Sequence, residues 1–62
     1  MTEETEALLS FVEEHHDVPA KSLRTIVRAL HTSEQYMDDA QLHRLEKIER
    51  EERLKLGKLL KN

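Results

Sequence analysis

Four histidines are the side chains best suited to chemistry: the adjacent pair His15 and His16, then His31, then His43 four residues after Asp39. A spacing of four places Asp39 and His43 on one helix face, within reach of a single cation. His15 and His16 diverge by about 100° on a helix and chelate poorly together. A structural zinc site needs four close ligands, and the chain has no cysteine to supply one. The expectation is histidines on the surface near helix ends, with no metal site and no cofactor.

Nucleophilic and acid–base chemistry find little material. Ser10, Ser22 and Ser33 lie in no nucleophile elbow, and there is no thiol. The paired carboxylates Glu13-Glu14 and Glu51-Glu52 suit solvated helix faces. A chain of 62 residues has difficulty enclosing the ~300 Å³ or more that a ligand pocket occupies. These residues predict a protein that is not an enzyme, with no catalytic residue and no small-molecule substrate.

Charge is distributed in blocks. Residues 1–17 hold six acids and no Lys or Arg, and residues 18–31 hold three bases and no acid. Residues 32–52 hold seven acids and three bases, and residues 53–62 hold four bases and no acid. The net charge of −3 excludes a uniformly basic surface but leaves two local basic patches. The first is a stripe of Lys21, Arg24 and Arg28, which a nucleic-acid-binding helix would present on one face while packing with the other. Ser22 and Thr25 are placed to add phosphate contacts. The acids of the first segment and the acidic Glu34, Asp38 and Asp39 that follow oppose that reading, because they repel phosphate.

Positioning these side chains falls to helices. Ala, Glu, Lys, Leu and Arg make up more than half of the chain, a bias typical of long helices and coiled coils. One Gly and one Pro leave little for hairpin turns, and no segment reads as a strand. A first helix over about residues 3–16 carries Leu8, Phe11, Val12 and His15 at helical spacing. Thr2 is placed as its N-cap, with Glu3 and Glu4 at the positive end of its dipole. Pro19 disfavours helical geometry at Val18, so this helix ends before it. A second helix over about residues 20–31 aligns Leu23, Ile26, Val27 and Leu30 in one apolar stripe. Pro19 fits its first turn; Asp17 and Ser22 are alternative caps.

Residues 32–38 form a bent connection, in which either Ser33 caps a short turn through Glu34–Tyr36 or Asp38 caps the next helix directly. The third helix, about residues 38–60, is the longest, with Gly57 either inside it or at its C-cap. In heptad terms Leu42 and Leu45 are a and d, Glu49 and Glu52 the next a and d, and Leu56 and Leu59 the pair after.

The whole is one all-α domain over residues 1–62, two short helices and a long third with coiled-coil character. Leu8, Phe11, Val12, Val18, Leu23, Ile26, Val27, Leu30, Tyr36, Met37, Leu42, Leu45 and Ile48 form the expected inward set. The leucines beyond exceed what two shorter helices can cover. Leu42, Leu45, Glu49, Glu52, Leu56, Leu59 and Leu60 are therefore the candidate protein-interaction residues, for a protein partner or a homodimer. The expected function is a small non-catalytic interaction module, an adaptor or regulator. The alternative is a small DNA-binding transcriptional regulator using Lys21, Arg24 and Arg28. No stretch reaches the ~20 apolar residues of a membrane span, and no cationic segment precedes an apolar run as in a signal peptide. A cytoplasmic location with no membrane partner is the corresponding expectation.

Overall fold

The structure is a computed structural model that describes residues 2–61, with side chains from 3 to 60. Three α-helices follow one another, α1 (Thr2–Glu14), α2 (Ala20–Thr32) and α3 (Asp39–Lys61), with one 3₁₀ turn at Glu34–Tyr36 between α2 and α3. Among the described residues there is no strand, and no helix is long and apolar enough to cross a membrane.

α1 ends two residues earlier than its periodicity implies. The His15 amide donates to the Phe11 and Val12 carbonyls at 3.0 and 3.3 Å, and the His15 ring nitrogen Nδ1 sits 2.8 Å from the Phe11 oxygen. A ring that satisfies a terminal carbonyl closes the helix there. Pro19 is the N-cap of α2, extended at ψ 154°, with no side-chain capping bond. Neither Asp17 nor Ser22 acts as the cap. The Leu23 amide still donates to the Pro19 carbonyl at 2.9 Å, since a proline loses only its donor.

Both alternatives for residues 32–38 occur together. Glu34–Tyr36 makes its own turn, with Ser33 in the N-cap position but without a side-chain capping bond. Asp38 then caps α3: its Oδ1 accepts from the Gln41 amide at 2.8 Å, and its own amide donates to Gln41 Oε1 at 3.3 Å. This reciprocal pair is a capping box with Gln at the third position. The Thr2 side chain, expected to cap α1, lies outside the described residues.

Leu9, Val12, Val18, Leu23, Val27, Leu30, Leu45 and Ile48 form the core, with Leu8, Ile26 and Met37 packed against it. The stripe of α2 is placed as its spacing implies. On α1 the rotation differs: Leu9 is fully buried, Thr5 is buried beside it, and Phe11 is 45% exposed. The expected inward positions of Phe11 and Tyr36 are therefore corrected. Tyr36 stands out from the 3₁₀ turn, largely exposed, and Phe11 stacks on the outer His15 ring at 4.2 Å.

α1 and α3 run in the same direction. Contacts along α1 and the loop after it advance with those along α3: Glu6 with Gln41 and Arg44, Glu13 with Arg44, His16 with Glu51, and Val18 with Lys55. At 1.5 Å per residue, the 23 residues of α3 span roughly 34 Å, against about 20 Å for each shorter helix. The molecule is accordingly elongated, 37 × 17 × 16 Å.

Candidate functional site

Three polar fixtures lock α3 against its neighbours and thereby decide which of its surfaces remain open. Arg44 is the largest. Its Nε and Nη2 grip both oxygens of Glu13 at 2.9 and 2.7 Å, its Nη1 reaches Glu6 at 2.8 Å, and Nη2 also lies 3.4 Å from the Ser10 hydroxyl. Gln41 adds a second donor to Glu6 at 3.2 Å. The Arg44 hydrogen bond, supported by Gln41, holds the Glu6 carboxyl down at about 2. Glu13 is lowered by the same guanidinium, and Arg44 is raised in return, chiefly by Glu13 and then Glu6.

The second fixture is Lys55, whose ammonium donates to the His16 carbonyl at 2.9 Å and the Val18 carbonyl at 2.5 Å. It supplies donors to backbone carbonyls of the loop between α1 and α2. The third is His31 at the end of α2, with Nε2 2.6 Å from Glu49 and Nδ1 3.3 Å from Glu34.

These fixtures divide the seven residues expected to face a partner. Leu45 is 1% exposed and belongs to the core, so its expected role in a partner seam is corrected. Glu49 meets His31 within the chain, and Leu42, Glu52 and Leu56 are half-buried. Leu59 and Leu60 are 61% and 85% exposed. At about 100° per residue, Leu45, Ile48, Glu52, Leu56 and Leu59 fall within roughly 80° of arc. The face that packs the core therefore continues along α3 after the shorter helices have stopped.

Lys55 is the last described residue of α3 whose side chain bonds to another element. Beyond it the same apolar face carries on, uncovered, through Leu59, with Leu60 alongside. Arg53 and Lys58 are exposed there and form no ion pair, and Leu54 is exposed on the far side of the helix. Gly57 lies inside α3, not at its end.

Lys21, Arg24 and Arg28 form one exposed row on α2, a helix without a single acid, and none of the three makes a side-chain hydrogen bond or ion pair. The histidines do not converge: His43 sits beside Glu46 at 3.6 Å, not Asp39, and among the described residues no group of three or more His, Asp or Glu side chains is arranged to hold a metal ion. An open groove of about 270 Å³ runs between α1 and α3. Val12 and Ile48 line its base, with Lys47 and Glu51 among the polar residues beside them.

The sequence reading missed Arg44 and Lys55. A signal for the first existed: Glu6, Ser10 and Glu13 recur at i, i+4 and i+7, one polar row on α1 in search of a cation. No local pattern announced Lys55, because its acceptors are backbone carbonyls of a loop. No protein-family model matches the chain, and no curated protein or solved structure matches it.

Proposed function

We propose that the chain is a small non-catalytic protein-interaction module, an adaptor or regulator, whose contact surface is the projecting end of α3. The observation that carries this reading is the continuation of the core-facing stripe into Leu59 and Leu60, which stand 61% and 85% exposed among the described residues. Isolated exposed leucines are ordinary. Two exposed leucines in phase with a buried stripe make a helix face suited to a groove or a second helix. Arg53, about 20° around the helix from Leu60, favours an acidic partner surface.

A second reading rests on the unpaired row Lys21, Arg24 and Arg28: a DNA-binding regulator that docks α2. Its three charges would neutralise few phosphates, so its affinity would be modest and would fall steeply with salt.

Photo-crosslinking separates the two. A benzophenone side chain placed at Leu60, and separately at Arg24, is irradiated in cells that express the chain. The interaction reading expects discrete protein adducts from position 60 and none from position 24. Nucleic-acid adducts from position 24, with none of any kind from position 60, would replace it with the second reading.

A further inference from the structure

The outer face of α1 is the mirror of the α3 end in chemistry. At about 100° per residue, Glu3, Glu4, Ala7, Phe11 and Glu14 share roughly 100° of arc on the side away from the core, and all are exposed. Phe11 is the chain's one phenylalanine, yet it stands 45% exposed, its ring stacked on the His15 ring. Glu3, Glu4 and Glu14 form no side-chain hydrogen bond or ion pair, in contrast to Glu6 and Glu13 on the adjoining flank. One end of the molecule thus offers apolar side chains beside the unpaired Arg53, and another surface offers an aromatic flanked by unpaired acids.

A chain cannot bring its own two surfaces together. α1 lies beside residues 41–47 of α3, as its contacts with Gln41 and Arg44 show. Leu59 and Leu60 lie roughly 18–28 Å further along a continuous helix. We propose that a second copy of this chain supplies the match, the α3 end of each protomer lying antiparallel on the outer face of α1 of the other. A two-fold axis near Glu51 makes the two contacts identical and closes the assembly at a dimer. Leu59 and Leu60 cover Phe11 and Ala7, and Arg53 comes to Glu14. The antiparallel sense also sets the negative end of each α3 dipole against the positive end of α1. A tail-to-tail pairing would instead bring the bases of residues 53–61 together. The surfaces are small beside the ~800 Å² per partner of a standard interface, so the dimer is weak and reversible. This inference rests on the interaction reading above and specifies its partner.

Sedimentation velocity across a concentration series tests it with three chains of unchanged helicity: wild type, Leu59→Ser/Leu60→Ser, and Phe11→Ser/Glu14→Arg. The wild type is expected to move from monomer to dimer, and each variant alone to associate at least about tenfold more weakly. Mixed in equal amounts, the two variants regain one of the two contacts and associate more strongly than either alone. A wild type still monomeric at about 1 mM overturns the second copy and leaves the broader reading to the crosslink at position 60. A Phe11→Ser/Glu14→Arg chain that dimerises like wild type overturns the α1 face alone. A Leu59→Ser/Leu60→Ser chain that dimerises like wild type removes the α3 end from any interface, and the broader reading with it.

A second measurement leaves every contact residue in place. The chain has no cysteine, so Asn62→Cys carries a unique spin label. Mixed with isotope-labelled wild type, it is expected to broaden the amides of residues 3–14. Broadening confined to residues 53–61 would show tail-to-tail pairing and overturn the proposal.

Discussion

Leu9→Ala and Phe11→Ala, two residues apart on α1, should have opposite consequences. Leu9 is 0% exposed at the centre of the core. Its truncation removes buried methylene and methyl groups and leaves a cavity, at a cost of about 2–5 kcal/mol. A core in a chain this short supplies only ~3–5 kcal/mol in total, so Leu9→Ala should lose most of its helical signal at 25 °C. Phe11 stands nearly half in solvent, its ring stacked on that of His15. Its truncation should cost no more than about 1 kcal/mol, a fall in Tm of roughly 4–8 °C at most for a domain of this size. The assay is circular dichroism at 222 nm during urea and thermal melts, in dilute solution so that association does not contribute. A Phe11→Ala chain as unstable as Leu9→Ala, or more so, would mean that α1 is rotated by about 160° from the orientation described. The outer acidic face would then not exist.

Gly57→Ala should raise helicity and stability by up to ~1 kcal/mol, because Gly57 lies inside α3 and an added Cβ would meet nothing within 4 Å; a lower melting temperature would place it at a helix end or a close contact. Stability should fall as pH drops from about 4.5 to about 2. Glu6 is held at about 2 in the folded chain against an ordinary 4.5, and Glu13 is lowered too. A carboxyl depressed by folding contributes fully above its unfolded value and loses that contribution as the pH falls through its folded one. Arg44→Met should flatten the melting temperature across that window, and an unchanged slope would remove Arg44 from the account.

The number of helices and the packing of α2 were legible because each rests on one dominant cause. In α2 a single apolar stripe opposes a charged one, so Leu23, Val27 and Leu30 have only one orientation that buries them together. The break at Val18-Pro19 follows from sterics. α1 was less legible because Leu8, Leu9, Phe11 and Val12 spread over about 160° of arc, too wide for all four to face the core. Its rotation is decided by a remote residue: Glu6, Ser10 and Glu13 must face Arg44, 31 or more residues away. That requirement turns Phe11 outward and Leu9 in. The candidate surface was half legible for a related reason. The heptad reading located Leu59 and Leu60 but extended the seam to Leu45 and Glu49, which α1 and α2 already occupy. Where a helix stops being covered depends on the lengths of its neighbours and on the Lys55 clamp, neither of which is written in the periodicity of α3.

The leucines at the end of α3 are proposed to serve a partner and not the fold of this chain. A thermal melt of Leu59→Ser/Leu60→Ser in dilute solution addresses that claim most directly, because there the isolated chain has only its own contacts to lose. The melting curve is expected to match wild type within about 0.5 kcal/mol, as for substitutions at exposed sites. A loss of about 2 kcal/mol or more would show that Leu59 and Leu60 pack within the chain, and the claim would fail.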